Sequence, residues 1–208
     1  MTASAQLLEV FEEARRLGYI GPGDLDNQMV HARGFATAYA AVEAGQRPGH
    51  VLDLGSGGGL PGLVLAEEWP GARVTLVESS RRRSDFLRRA VDRGRLGDRV
   101  TVLEGRAEQL GRDPAWRQRV DLVVARSFGS PAVTAECGAP FLRAGGWLVV
   151  SEPPAEQDRW PAEALAQLGL SGPVFVRQDF AFCALRQDEP CPERFPRRVG
   201  VPAKRPLF

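Results

Sequence analysis

The stretch Val51 to Ala66, VLDLGSGGGLPGLVLA, decides the fold of this 208-residue chain. An apolar run at 51–54 is followed at once by glycines and then by helix-forming residues. Five glycines fall within eight positions: Gly55, Gly57, Gly58, Gly59 and Gly62. Because glycine has no Cβ and adopts positive φ, such a turn lets a ligand approach the backbone closely. With Pro61 suited to a first helical turn, the stretch predicts a strand, a turn that binds a nucleotide-like ligand, and a helix.

Two kinds of cofactor fit this turn. Gly57-x-Gly59-x-x-Gly62 matches the dinucleotide fingerprint, in which a pyrophosphate sits on the helix N-terminus. Counted from Asp53, the pattern is Asp-x-Gly-x-Gly-x-Gly, which resembles motif I of class I methyltransferases that bind S-adenosylmethionine. A carboxylate beside the turn suits that cationic ligand better than a pyrophosphate. Glu78, at the end of the next predicted strand, suits the ribose of either cofactor, and a turn that only packs a helix on a sheet is the third alternative.

Composition limits the class of protein. At 43% hydrophobic and 25% charged residues, the chain can bury one core, so we expect one domain. It has no run of 18 apolar residues and no basic-then-apolar start, which predicts a cytoplasmic protein without a membrane contact. The cysteines lack CxxC spacing and the histidines form no ligand pattern, so neither a disulfide frame nor a metal site is expected. These residues are Cys137, Cys183, Cys191, His31 and His50.

Basic residues cluster in two regions although the net charge is only +1. Residues 81–99 hold eight arginines against three aspartates, and residues 186–208 hold six basic residues against three acidic ones. Residues 1–30 have the opposite balance, with five acids and two arginines. This asymmetry suits a face that binds phosphates, whereas a solvated helix face is the alternative.

Strand and helix patterns alternate along the chain. Two amphipathic helices are predicted at 5–17 and 25–44, the second with a break at Gly34. Further helices are predicted at 61–68, 80–93, 132–143 and 160–168, and strands at 50–55, 73–78, 99–105, 120–127 and 145–151. This alternation predicts a parallel sheet with helices on both faces.

The last two predicted strands, 173–177 and 180–186, are separated by only two residues. That gap permits a hairpin and no helical crossover, so the final strand is expected to run antiparallel. Such a sheet resembles the seven-stranded methyltransferase fold more than a dehydrogenase half-sheet. We therefore expect a helical cap over 1–46, a methyltransferase domain over 47–188 and, within the same domain, a basic proline-rich arm over 189–208 that crosses the surface in extended form.

Five segments together carry a resemblance to one family. They are DLGSGGGLPG at 53–62, Glu78 followed by Arg82-Arg83-x-x-Phe86-Leu87, GRAE at 105–108, ARSF at 125–128 and RFPRRVGVPAKRPL at 194–207. They resemble the RsmG (GidB) family, bacterial enzymes that methylate guanine N7 in small-subunit ribosomal RNA. The Leu-Pro-Gly after the glycines is more specific than the glycines themselves. The resemblance covers about residues 30–208 and implies a class I α/β methyltransferase fold, Rossmann-like, with a seven-stranded sheet and S-adenosylmethionine as cofactor.

The resemblance also implies roles for single residues. Gly55 and Leu60 contact the cofactor, Ala107 and Glu108 hold its adenine end, and Arg126 lines the active site. The turn chemistry adds four cofactor-binding candidates: Asp53, Gly57, Gly59 and Glu78. Guanine N7 has a lone pair and no proton, so the reaction needs alignment rather than a general base. Arg126 could orient guanine through O6 as the catalytic arginine, or it could form a buried salt bridge that stabilises its loop.

The expected partner is 16S ribosomal RNA, either free or in an assembling 30S subunit, bound by a monomer. The candidate RNA-binding residues are Arg82, Arg83, Arg126, Arg197, Arg198 and Lys204. Two departures from the family pattern concern RNA docking. The family's LKG segment at the end of strand five is replaced by VVSEPP at 149–154, and its longer N-terminal region with a YNLT motif is missing or shortened before His31. A small-molecule methyltransferase on the same scaffold is therefore the alternative, and a dinucleotide-binding or non-catalytic protein is the third.

Overall fold

Seven strands form one sheet in the computed structural model, which describes residues 5–153 and 159–208. In chain order the strands are β1 (His50–Leu54), β2 (Arg73–Glu78), β3 (Val100–Glu104), β4 (Val120–Ala125), β5 (Leu142–Glu152), β6 (Leu170–Arg177) and β7 (Ala181–Gln187). They lie in the order β3-β2-β1-β4-β5-β7-β6, with β7 antiparallel to both of its neighbours and the first five strands parallel. The predicted seven-stranded sheet with an antiparallel last strand is confirmed. Pro154, the last residue of the VVSEPP stretch, lies outside the described residues.

The described residues contain eight α-helices: the six that were predicted, with shifted ends, and two that were not, at 107–110 and 201–204. They are α1 (Ala5–Arg16), α2 (Leu25–Val42), α3 (Gly62–Glu68), α4 (Arg81–Arg93), α5 (Ala107–Leu110), α6 (Pro131–Gly138), α7 (Ala162–Ala166) and α8 (Val201–Lys204). The expected break of α2 at Gly34 is wrong, because α2 runs through it. A Cβ on Gly34 would lie 2.6 Å from Cζ of Phe182, so this glycine lets the sheet approach the helix. Across the described ranges, no helix combines the length and the apolar character needed to cross a bilayer.

Alternate strand residues fill two cores on opposite faces of the sheet. Helices α1 to α4 pack on one face, against side chains such as Val51 and Leu122. Helices α5 to α7 pack on the other, against side chains such as Leu52 and Val123. The two N-terminal helices share the first of these cores with the sheet. All three cysteines are buried and free.

The C-terminal tail does not cross the surface as an extended arm, contrary to the expectation from its prolines. The side chains of Cys191 and Phe195 are buried, and the tail ends in helix α8. The guanidinium of Arg117 donates hydrogen bonds to the carbonyl oxygens of Cys191, Pro192 and Phe195. Proline removes backbone donors, but the carbonyl oxygens remain, and a side-chain donor from elsewhere in the fold can hold them.

Candidate functional site

Two cavities meet at Gly55, at the carboxyl ends of β1, β2 and β4. The larger one, about 470 Å³, is lined by the carboxylates of Glu78 and Glu108 and is called the acidic cavity. The smaller one, about 320 Å³, is called the arginine cavity and is lined by Arg126 and by the glycine turn at 55–60, except for Gly59, which lines neither cavity. Both are lined by Gly55, Arg83 and Ser127. A ligand can therefore extend from one cavity into the other across the turn.

The glycine turn is held by backbone hydrogen bonds from the neighbouring strand. The N–H groups of Gly55 and Ser56 both donate to the carbonyl oxygen of Val77 at 2.9 Å. The backbone has positive φ at Gly55, Gly57 and Gly59, with values of 77°, 54° and 98°. Side chains rarely adopt this conformation, which explains why glycine stands at these positions. Leu60, 7% exposed, follows the turn and lines the arginine cavity.

Asp53 lies beneath the turn and lines neither cavity. Its side chain is 1% exposed, and Oδ2 accepts a hydrogen bond from the Gly62 N–H at 3.0 Å. Burial raises the pKa of Asp53 to about 7, although the hydrogen bond from Gly62 opposes that rise. This carboxylate is placed to fix the start of α3 behind the turn. The geometry gives it no direct contact with a ligand in either cavity.

Glu78 is the last residue of β2, as predicted, and it lines the acidic cavity. Its Oε2 accepts from the Gly57 N–H at 3.0 Å, and its Oε1 accepts from the Ser80 N–H at 2.8 Å. A carboxylate oxygen has a second lone pair, so each oxygen can still accept from a ribose hydroxyl. Glu78 thus joins the glycine turn to the acidic cavity.

Ala107 and Glu108 begin α5 and line the acidic cavity on its other side. Glu108 is 4% exposed, and its Oε1 accepts from Arg106 at 3.1 Å and from the backbone N–H of Gly200 at 3.0 Å. Burial alone would raise the pKa of Glu108, but these two hydrogen bonds hold it below its ordinary value. Glu108 is therefore ionised at neutral pH. The C-terminal tail reaches the cavity here, and Ala203 lines its wall.

Arg126 follows β4 and faces the arginine cavity. Its Nη2 donates to Oε1 of Gln28 at 2.9 Å, while its Nη1 is buried without a hydrogen-bond partner in the described part of the chain. Burial lowers the pKa of this guanidinium, and the nearby charge of Asp53 opposes the fall. The hydrogen bond goes to an amide and not to a carboxylate, which gives the buried-salt-bridge alternative little support.

Gln28 is a residue that sequence reasoning missed. Its Nε2 donates to the carbonyl oxygen of Gly21, in the turn between α1 and α2, so one amide links that turn to Arg126. Gln28 and Arg126 are 98 residues apart, and no local pattern connects them. The one sequence signal near Gln28 was Asp24, whose side chain caps the N-terminus of α2. The cap fixes where the helix begins and places Gln28 in its first turns.

The candidate RNA-binding residues do not form one group. Arg82, Arg198 and Lys204 are exposed. Arg83 lies over the Tyr19 ring, 5.6 Å from its centroid, between the two cavities. The guanidinium of Arg197 contacts fully buried Glu136 of α6, with Nη2 at 2.6 Å from Oε2. Arg197 is thus engaged within the fold, whereas the three exposed cations remain available to a phosphate.

Glu152 lies in the VVSEPP segment at 149–154, and its charge is compensated inside the protein. Its carboxylate accepts from Arg159 and from Nε1 of Trp160, both at 3.1 Å.

His31 packs among Phe35, Phe180 and Phe182, and burial together with Arg126 lowers its pKa to about 4. Within residues 5–153 and 159–208, no group of histidine, cysteine or acidic side chains could hold a metal ion.

Comparison with known proteins gives similarity in sequence and in fold. A family model described as rRNA small subunit methyltransferase G matches residues 18–164. A ribosomal RNA small subunit methyltransferase G from Prochlorococcus marinus (strain MIT 9313) is 39% identical over 177 residues, covering 80% of this chain and 71% of the relative. The protein of the same name from Rubrobacter xylanophilus is 35% identical over 224 residues, covering 99% and 85%.

Among solved structures, an O-methyltransferase from Bacillus cereus in complex with SAH superposes with a TM-score of 0.63. It is 14% identical, and the match covers 89% of this chain and 92% of that one. At this level of identity the likeness shows the fold alone.

Proposed function

Because this chain belongs to the RsmG (GidB) family of ribosomal RNA small subunit methyltransferases, we propose that it transfers a methyl group from S-adenosylmethionine to N7 of a guanine in 16S ribosomal RNA. The observation that carries the proposal is the pair of cavities joined at Gly55. One offers carboxylates and the other offers a guanidinium nitrogen, Nη1 of Arg126, without a partner in the described residues. The sheet order, with its antiparallel β7, disfavours the dinucleotide alternative.

The residues around the two cavities fit S-adenosylmethionine. In the acidic cavity, Glu78 can accept from ribose hydroxyls and the backbone at Ala107 can bond the adenine edge. In the arginine cavity, Gly55 and Leu60 leave room beside the turn for the amino-acid end. The cofactor would supply an activated methyl group on a sulfonium. The protein has to align guanine N7 with that methyl group and exclude water, which can lower the barrier substantially.

This proposal allows two roles for Arg126, which differ in the group that accepts its hydrogen bond. Its Nη1 can donate to guanine O6 and orient the base, or to the carboxylate of the cofactor. Steady-state kinetics of Arg126→Ala separate the two roles. A lower kcat with an unchanged KM for S-adenosylmethionine supports the guanine role, and a higher KM with an unchanged kcat supports the carboxylate role. Full turnover and full affinity would remove Arg126 from the site.

The test of the function is the product. The purified protein is incubated with S-adenosylmethionine and undermethylated small ribosomal subunits, and 7-methylguanosine in the digested RNA is quantified by mass spectrometry. New 7-methylguanosine supports the proposal, and Arg143→Gln, a change at a surface ion pair with Asp121, is the matched control that should retain activity. No incorporation, with S-adenosylhomocysteine still bound, would favour the small-molecule alternative. The charge of Glu152 gives that alternative little support, because it is paired with Arg159 inside the protein.

The RNA partner is testable through the salt dependence of binding. Arg82 is exposed and has no ion pair among the described residues, whereas Arg88 is paired with Asp85 and Glu104. We expect Arg82→Gln to reduce the slope of log K against log salt by about 1, because one phosphate contact is lost. Arg88→Gln should leave the slope unchanged. Equal slopes for all three proteins would contradict a role for Arg82 at the phosphate backbone.

A further inference from the structure

The C-terminal tail reaches the acidic cavity through a series of contacts. Arg112 donates to the carbonyl oxygens of Arg194 and Pro196, and Arg197 then binds Glu136. Glu136 is 0% exposed, so Arg197 is the positive charge that compensates a buried carboxylate. These contacts fix the backbone just before the tail meets the cavity.

Beyond Arg197 the tail becomes part of the cavity wall. The Gly200 N–H donates to Oε1 of Glu108, and Ala203, in α8, lines the acidic cavity beside Ala107 and Glu108. Gly200 has φ of 78°, and this left-handed residue caps the N-terminus of α8 and turns its N–H to the carboxylate. The hydrogen bonds from Arg106 and Gly200 both end on Oε1, and a carboxylate has more acceptor sites than these two bonds use, so Glu108 can still accept from a ligand in the cavity.

We propose that the tail over 197–204 is a working part of the cofactor site: Gly200 and Ala203 close its adenine end through Glu108, and bound cofactor and docked tail stabilise each other. The inference rests on the proposed function, since it takes the acidic cavity to hold the adenosine of the cofactor. If the docked tail raises the affinity for the cofactor, the cofactor must stabilise the docked tail by the same factor. Arg197 is then a positioning residue that acts on the cofactor through the tail.

The first test uses the unmodified protein. Hydrogen exchange is measured by mass spectrometry with and without S-adenosylhomocysteine, on peptides that cover the glycine turn, the tail at 197–204 and, as an internal control, the β6 and β7 hairpin. We expect slower exchange in the turn and in the tail, and no change in the hairpin. Protection of the turn without protection of the tail would overturn the inference and leave the proposed function standing. No protection in either region would overturn both.

The second test weakens the tail away from the cavity. Arg197 lines neither cavity, so Arg197→Gln removes no contact with the cofactor itself. We expect its Kd for S-adenosylhomocysteine, measured calorimetrically where the variant is fully folded, to rise about tenfold. Arg143→Gln, which breaks a more exposed arginine–carboxylate pair with Asp121, should stay within about twofold of the unmodified protein. Equal Kd values for the two variants would overturn the inference. A higher KM for S-adenosylmethionine in Arg197→Gln, at an unchanged kcat, would support a positioning role.

Discussion

The glycine turn and the acidic cavity adjoin at Gly55 but are built from different kinds of sequence. The turn at 55–60 lies within one continuous segment, 53–62, whose geometry follows from its own residues and from the strand beside it. The acidic cavity is assembled from the end of β2, the start of α5, the loop after β4 and the tail. The turn can therefore be recognised from a short motif, whereas the cavity exists only once distant segments have docked. Substitutions in the two regions should fail in different ways.

The largest effect is expected at Gly62, where α3 begins directly behind the turn. A Cβ on Gly62 would clash with Cδ2 of Leu76 and would lie 2.7 Å from Oδ2 of Asp53, and both of these side chains belong to buried strands. We expect Gly62→Ala to lower the free energy of unfolding by about 3 kcal/mol through overpacking. Urea denaturation measures this change. Gly71→Ala is the matched control, because a Cβ there meets nothing within 4 Å. Equal stability of the two variants would show that the turn is not tightly fitted.

The sequence predicted the two regions to different extents. The turn, Glu78 at the end of β2 and the antiparallel last strand followed from local patterns, because strand, turn and helix signals span few residues. The roles of Ala107 and Glu108 came from the family resemblance and not from spacing. The contact between Glu108 and Gly200 joins residues 92 positions apart, and that between Arg197 and Glu136 joins residues 61 positions apart. No local pattern encodes such pairs, and the prolines of the tail gave no sign of the arginines that would hold it.

The second effect concerns the acid beneath the turn. The pKa of Asp53 is raised to about 7, above its value of about 3.9 in the unfolded chain, so between these values the folded state binds the extra proton. Stability from this group is therefore lost as the pH rises from about 4 to about 7. Asp53→Asn removes that loss and can still accept from the Gly62 N–H. Relative to the unmodified protein, we expect the variant to gain about 2.5 kcal/mol in the free energy of unfolding between pH 5 and pH 8.

Unfolding in urea at the two pH values measures this gain for Asp53→Asn. Asp98→Asn changes an exposed carboxylate and serves as the control, with no pH-dependent difference expected. A constant difference between Asp53→Asn and the unmodified protein across the range would mean that Asp53 is ionised under the turn at every pH. The Gly62 N–H would then donate to a charged carboxylate and not to a carboxyl group that is protonated below about pH 7.

A smaller effect is expected at Gln28, the long-range contact on the turn side of the site. Gln28→Leu keeps the helix but removes the acceptor for Nη2 of Arg126 and the donor to Gly21. The loss of one hydrogen bond to a charged group predicts a decrease in kcat/KM of about tenfold. Gln46→Leu, at an exposed position after α2, is the control. Unchanged kinetics in Gln28→Leu would mean that the glycine turn alone shapes the arginine cavity. The arginine cavity would then depend on long-range contacts even less than the acidic cavity does.

The smallest effect is expected at Arg106, one of two hydrogen-bond donors to Oε1 of Glu108; the other is the distant residue Gly200. Oε1 of Glu108 accepts from its near neighbour Arg106 and from Gly200 in the tail, at similar distances. The Arg106 side chain is 50% exposed, so its ion pair is weakened by solvent and contributes little, whereas the tail also closes the cavity wall. We expect Arg106→Gln to raise the Kd for S-adenosylhomocysteine only about twofold, less than Arg197→Gln. If titration calorimetry gave the reverse order, the acidic cavity would depend on its own local GRAE segment, and the two regions would be built in the same way after all.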